Sequence, residues 1–221
     1  MTVTAILPVP ARFAARPDAV LAPLAGRSAL VRCVQTLARG GDVVVAVAAP
    51  LADAVGEILA GPDVRSARMV VADEPGERAD CVAAALRDLD GARSVLLHDI
   101  EWPVVAAHTV AAVADALRGG AIAVMPVVAV TDSVKSVDAR GVLTGTLDRS
   151  TLRTVQYPRG FAADNLAALL AARYSGDGDE LEAVLSAGPP LTVVDGDADA
   201  VHVELPRDAA YLSALLQGRG R

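Results

Sequence analysis

VLLHDIEWP at 95–103 and AIAVMPVVAVTDSVKSVDARGVLTGTLDRSTLRTVQYPRGF at 121–161 decide the fold of this 221-residue chain. SVLLH (94–98) and AIAVMPVVAV (121–130) are short, nearly unbroken apolar runs. Such runs read as strands buried on both faces of a parallel sheet. Between them, Thr109 to Arg118 carries a helical pattern stopped by Gly119-Gly120. Strand, helix and strand make a βαβ unit. The rhythm then breaks at 131–158, which is β-prone, polar and punctuated by glycine, with DARG as a tight turn between two short strands. This segment is expected to project as a β-arm. Exposed edge strands of that kind call for a partner, so a homodimer is expected.

The same alternation extends on both sides of this segment. TAILPV (4–9), VVVAVAA (43–49) and ARMVVA (67–72) read as strands. Helices are expected from Ser28, as N-cap, to Arg39, from Pro50 to Ala60, and from Glu77 to Leu89. Beyond the arm, helices are expected near 162–174, 179–187 and 207–217, with strands at 191–196 and 200–204. With no linker or internal repeat, residues 1–221 read as one α/β domain. Its sheet is mostly parallel and doubly wound, and such sheets bind ligands at the carboxyl ends of their strands. Those ends are Val9-Pro10, Ala72-Asp73, His98-Asp99 and Val130-Thr131.

Composition narrows the function classes. The chain is 53% hydrophobic but only 3% aromatic, so its core is built from Ala, Val and Leu. A net charge of −7 argues against nonspecific nucleic-acid binding. Lys135 is the only lysine, so a cationic pocket must be made almost wholly of arginine, which grips phosphate in a fixed fork. Cys33 and Cys81 lack metal-ligand spacing and are expected to be buried thiols. No apolar run is long enough to span a bilayer, and MTVTAILPVPAR lacks the pattern of a signal peptide, so a cytoplasmic protein is expected.

The first strand-to-helix loop, PVPARFAARPDAVLAPLAG (8–26), has a single glycine at its far end. Its backbone is poorly suited to cradling phosphate. Arg12 and Arg16 are either solvated or meet an anion through their side chains. Asp99 is either a Mg²⁺ ligand at the functional edge or a turn or N-cap aspartate. His98 is expected to pack or hydrogen-bond. Lys135 on the arm is either solvated or part of a strip with Arg149, Arg153 and Arg159 that binds phosphate across a dimer. The clusters Asp177, Asp179, Glu180, Glu182 and Asp195, Asp197, Asp199 read as solvated charge.

The HD followed by proline, DSVK, DR and VQYPRGF, in this order and spacing, resemble methylerythritol-phosphate cytidylyltransferases, and the likeness spans nearly the whole chain. It implies a Rossmann-like, nucleotidyltransferase-like domain with a β-arm that completes the neighbouring subunit's site. It also implies an activity that joins CTP to methylerythritol phosphate with Mg²⁺ and releases pyrophosphate. By the resemblance, Asp99 is the catalytic and metal-binding aspartate and Arg16 lies near the catalytic arginine. Arg12, Arg78, Asp80 and Cys81 fall at the nucleotide, and Ser133, Lys135, Arg149 and His202 at the phosphorylated substrate. The family's AAGxGxR loop is here VPARFAA, its HDAARP is HDIEWP, and Pro17-Asp18 stands where a proline-lysine is expected. Each lost cation would remove roughly 3–4 kcal/mol of transition-state stabilisation. The expectation is a divergent member with impaired or lost activity, acting as a binding or regulatory partner. The alternatives are an active Mg²⁺-dependent nucleotidyltransferase on this or another phosphorylated alcohol, or a structural subunit paired with a true enzyme.

Overall fold

A computed structural model describes residues 2–64, 67–89, 91–172 and 180–218. The strands are β1 (Val3–Val9), β2 (Asp42–Ala48), β3 (Ala67–Ala72), β4 (Ser94–Leu97), β5 (Ala123–Ala129), β6 (Val134–Val137), β7 (Leu143–Leu147), β8 (Arg153–Val155), β9 (Arg159–Ala162) and β10 (Leu191–Asp195). The helices are α1 (Asp18–Leu21), α2 (Ala29–Leu37), α3 (Ala52–Leu59), α4 (Arg78–Arg87), α5 (Ala107–Arg118), α6 (Ala163–Ala171), α7 (Glu180–Ala187) and α8 (Ala209–Gly218).

The main sheet runs β10-β5-β9-β4-β1-β2-β3, with β8 pairing to β5. The pairs β1/β2, β1/β4, β2/β3 and β5/β10 are parallel. The valine runs explain why. Alternate residues of one strand feed two separate cores, so the runs are mostly apolar on both faces. Leu7, Val43 and Val45 pack on one face with α2, α3 and α5 residues such as Leu30, Val34, Val55 and Val113. Ile6, Val44 and Ala46 pack on the other with Val82, Leu166 and Val184 from α4, α6 and α7. Both cysteines are free and buried, as expected.

Local signals position the helices. The Ser28 hydroxyl accepts from the Val31 amide at 3.3 Å and starts α2. Glu77 and Asp80 form a reciprocal capping box that starts α4. The sequence reading missed β9, which runs antiparallel between β4 and β5. Gly160 makes that insertion fit, since a Cβ there would lie 2.7 Å from Val113 Cγ1 on α5.

The strand expected at 200–204 is absent. Its alternation has another origin: Val203 is fully buried against Val104 and Leu212, while His202 and Glu204 are exposed. A backbone bond from Val203 N to Glu101 O at 2.9 Å ties the segment to the loop after β4. The arm matches its expectation as a β6–β7 ribbon, and Asp138 accepts from the Arg140 and Val142 amides in the DARG turn. The ribbon exposes Val137, Val142, Leu143 and Leu147. The expected boundaries at 173–179, with Asp177 and Asp179, lie outside the described residues.

Candidate functional site

The chain order reverses at β1, which pairs with β2 on one side and β4 on the other. This switch point opens a crevice at the carboxyl ends of β1 and β4, where an α/β sheet binds its ligands. The amide of His98 donates to Ile6 O at 2.9 Å, so the backbone is still fixed to β1 one residue before Asp99.

Asp99 sits at that crevice. Its Oδ1 accepts from the Glu101 amide at 2.9 Å, and its Oδ2 accepts from Arg78 Nη1 at 3.0 Å. Burial would raise the Asp99 carboxyl, but the Arg78 charge, the Glu101 amide and Arg12 together hold it below the ordinary carboxylate range. Arg78, the first residue of α4, spreads its fork over three further groups. It donates to Glu180 Oε1 at 2.8 Å and, more weakly, to His98 O and the Tyr157 hydroxyl, each at 3.4 Å. Burial opposes the Arg78 charge, but Glu180, Tyr157 and Asp99 outweigh it and hold the guanidinium protonated. Glu180 also accepts from Arg159 Nη1 at 3.2 Å, and Arg159 lies 4.3 Å from the centre of the Tyr157 ring. The result is a chain of charges, Asp99–Arg78–Glu180–Arg159, wrapped around one tyrosine.

His98 is buried and neutral, because burial pushes its pKa down to about 4. Its Nε2 donates to Trp102 O at 3.1 Å, which assigns the tautomer. The half-buried Trp102 ring packs 6.0 Å from Tyr157 and 6.1 Å from His202, centre to centre. Beside Asp99 lies a cleft of about 480 Å³ lined by Arg12, Phe13, Arg16, Glu101, Glu204 and Arg207, among others. Arg12 donates to Glu101 Oε2 at 2.7 Å, and Arg207 pairs with Glu204 at 2.9 Å. Arg16 has no ion pair among the described residues. A second cleft of about 230 Å³, lined by Ala49, Pro50, Asp73, Pro75 and Gly76, lies at the ends of β2 and β3.

Four amides at the start of the first loop are bonded within the protein. Ala11 N donates to Gly76 O at 2.8 Å, Phe13 N to Pro10 O at 3.1 Å, Ala14 N to Ala11 O at 2.8 Å and Arg16 N to Phe13 O at 3.0 Å. Phe13 is buried and anchors the turn. An anion entering here would meet arginine side chains rather than a backbone cradle, as the glycine-poor loop implied.

Of the expected site residues, Arg12 and Arg16 line the larger cleft, Asp99 and His202 adjoin it through Glu101, and Arg78 joins them through Asp99. Cys81 does not. It is fully buried, its thiol points at Gly76 O at 3.9 Å, and burial pushes its pKa up to about 11. The expectation of Cys81 at the nucleotide is therefore corrected: its side chain belongs to the core. Asp80 uses Oδ2 to accept from the Glu77 amide at 2.9 Å, which makes it a helix cap. Ser133, Lys135 and Arg149 lie exposed on or beside the arm, outside the cleft lining. Lys135 Nζ donates to Thr146 Oγ1 at 2.8 Å, and Arg149 donates to the Thr131 carbonyl.

Three further readings change. Arg159 is buried in β9 and does not join a surface strip. Glu180 is a buried ion-pair partner rather than a solvated charge. Asp197 is likewise buried, accepting from Ala106 N at 3.0 Å and so serving the start of α5. Sequence reasoning also missed Tyr157 and Glu101. Tyr157 was visible only as part of the YPRGF motif, and Glu101 only as an acidic residue two positions after Asp99.

The donor set tests a divalent cation. Among the described residues no group of three His, Cys, Asp or Glu side chains could hold a metal. Mg²⁺ needs only one or two carboxylates when phosphates and water complete its shell. Asp99, held ionised at the cleft, fits a cation that arrives with a phosphorylated ligand.

Comparison with known proteins places the chain in a family. The profile of the 2-C-methyl-D-erythritol 4-phosphate cytidylyltransferase family matches residues 9–218. A 2-C-methyl-D-erythritol 4-phosphate cytidylyltransferase of Frankia casuarinae is 39% identical over 200 residues, 89% of this chain and 73% of that protein. One of Saccharopolyspora erythraea is 36% identical over 225 residues, covering 98% of this chain and 100% of that protein. Among solved structures, the same-named enzyme of Thermus thermophilus superposes with a TM-score of 0.76 at 26% identity, covering 98% of this chain and 100% of that one.

Proposed function

Because the chain belongs to the 2-C-methyl-D-erythritol 4-phosphate cytidylyltransferase family, we propose that it transfers a cytidylyl group from CTP to a phosphorylated polyol, at a rate impaired by its depleted cationic cleft. The methylerythritol phosphate in its relatives' names is the first substrate to test. The observation that carries the reading is Asp99, held ionised by Arg78 just beyond the end of β4, with its Oδ1 accepting from the amide of Glu101, a residue that lines the arginine-bearing cleft.

In the reaction an oxygen of the substrate phosphate bonds to the α-phosphorus of CTP. The bond from that phosphorus to the bridging oxygen breaks, and pyrophosphate leaves. Such transfer depends on positioning and on stabilising charge. Arg16 and Arg12 meet the triphosphate through their side chains. Arg78 orients and ionises Asp99, which would hold a nucleotide-borne Mg²⁺; bound there, the ion would supply positive charge to offset that of the departing pyrophosphate. The smaller cleft beside Gly76 suits the base. His202 faces the substrate phosphate, and Ser133, Lys135 and Arg149 serve a neighbouring protomer's cleft in a homodimer joined through the arm. The rate is impaired because four of the loop amides are used internally and Arg12 is already paired with Glu101.

The test is Mg²⁺-dependent pyrophosphate release from CTP and 2-C-methyl-D-erythritol 4-phosphate. Slow release is expected, reduced a further ~10²–10³-fold by Asp99→Asn. No release, with no thermal shift at millimolar CTP, would overturn the reading. A second reading, a nucleotide-binding partner without turnover, is favoured by the Arg12–Glu101 neutralisation. A CTP-induced thermal shift without pyrophosphate release would select it.

A further inference from the structure

Glu101 stands inside the cationic cleft as a fixed anion. Its Oε2 lies 2.7 Å from Arg12 Nη2 and 3.6 Å from His202 Nε2, and its side chain is only 19% exposed. Both ends of its backbone are tied. The amide donates to Asp99 Oδ1 at 2.9 Å, and the carbonyl accepts from Val203 N at 2.9 Å. The side chain therefore stays within reach of Arg12 and His202. Arg12, for its part, rests over the Phe13 ring at 4.7 Å. The position beside Arg12 that a ligand's phosphate oxygen would take is filled by this chain's own carboxylate.

We propose that Glu101 is an intramolecular competitor of the anionic ligand. The inference rests on the reading of this cleft as a phosphate site, and it assigns Glu101 the role of setting which anions enter. A ligand bound at Arg12 must displace the carboxylate and then tolerate a negative charge held beside it. A singly charged anion gains too little from Arg12 and Arg16 to do so. A polyphosphate can spread over both arginines and keep a net attraction. Glu101 thereby biases the cleft toward polyphosphates and weakens every anion's binding relative to the same cleft without it.

The experiment is calorimetric titration of the full chain with pyrophosphate, and separately with CTP, at low ionic strength. The proteins are wild type, Glu101→Gln, Glu101→Ala and Asp115→Asn. Glu101→Gln keeps the shape and removes the charge. Glu101→Ala checks the direction should the glutamine variant fold poorly. Asp115→Asn makes the same change in net charge on α5, outside the residues lining the cleft. Removing a like charge a few ångströms from a bound anion in a partly screened site is expected to tighten pyrophosphate binding about tenfold in both Glu101 variants. Asp115→Asn should stay within about twofold, since exposed charges beyond a Debye length are screened. If the Glu101 variants bind as wild type does, or more weakly, Glu101 is an ordinary surface bridge or a support for Arg12. The proposal then falls while the phosphate-site reading stands. If no protein binds either probe at millimolar concentration, both fall together.

Discussion

Replacing Arg78 by Met tests whether the chain of charges around Tyr157 holds the site together. The substitution keeps an unbranched, largely apolar stem but removes the fork that joins Asp99, Glu180, His98 O and the Tyr157 hydroxyl. Removing one partner of a buried pair costs about 3–5 kcal/mol, mainly because the other charge is stranded. Here the Asp99 side chain is 13% exposed, the Arg78 side chain 24%, and Glu180 keeps its bond to Arg159. Partial solvent screening and the surviving pair reduce the expected loss to about 2–3 kcal/mol. For a chain of this size that lowers the melting temperature by about 5–10 °C.

The loss should also depend on pH. Asp99 has a lowered pKa in the folded protein, so its contribution is fully present above the unfolded value of about 3.9 and is lost as pH falls through the folded value. In Arg78→Met the burial of Asp99 acts without its main counter-charge, and its pKa rises. The stranded carboxyl takes up a proton on acidification, and the penalty shrinks from neutral pH toward pH ~4.5. Urea unfolding of both proteins at the two pH values gives the comparison. A penalty below ~0.5 kcal/mol, or one that grows on acidification, would refute the reasoning.

Gly160→Ala places a Cβ 2.7 Å from Val113 Cγ1, and overpacking of that kind should cost about 1–3 kcal/mol in urea unfolding. Asp197→Ala strips acceptors from Ala106 N and Asp199 N, and should cost about 1–3 kcal/mol with faster amide exchange at the start of α5. Both thiols are buried and Cys81 is pushed up to about 11, so a disulfide reagent at pH 7.5 should modify the native chain at least ~100-fold more slowly than the urea-unfolded chain.

The sheet was legible because burial on both faces writes itself as continuous Val and Leu. The starts of α2 and α4 were legible because Ser28, Glu77 and Asp80 cap them locally. β9 was not, since RGFA is four residues long and its place depends on a close approach to α5. The VHVE alternation imitated a strand because one valine is buried between two polar side chains. Asp99 could be picked out by its place at a strand end. Its partners could not, because Arg78 meets Glu180 across 102 positions of sequence. Composition likewise cannot separate the buried carboxylates of Glu180 and Asp197 from solvated neighbours in the same acidic runs. Cys81 was misplaced because a likeness in sequence fixes a position along α4 but not the face of the helix that carries it.

β9 also governs the order in which the sheet can assemble. Among the described residues it alone bridges β4 and β5, pairing Ser94–Leu97 on one side and Ala123–Val124 on the other. During synthesis β1 to β4 can zip together with their helices as soon as they emerge. β5, although made soon afterwards, has no neighbour on that side until the whole arm and Phe161 have followed. Closure of the sheet is therefore a late, non-local event with a large loop entropy to overcome. Weakening substitutions in β9 should slow refolding, whereas comparable changes at the outer edge of β3 should chiefly accelerate unfolding. Until that closure, β4 presents an open edge, and the nascent chain is most exposed to aggregation while its arm is being made.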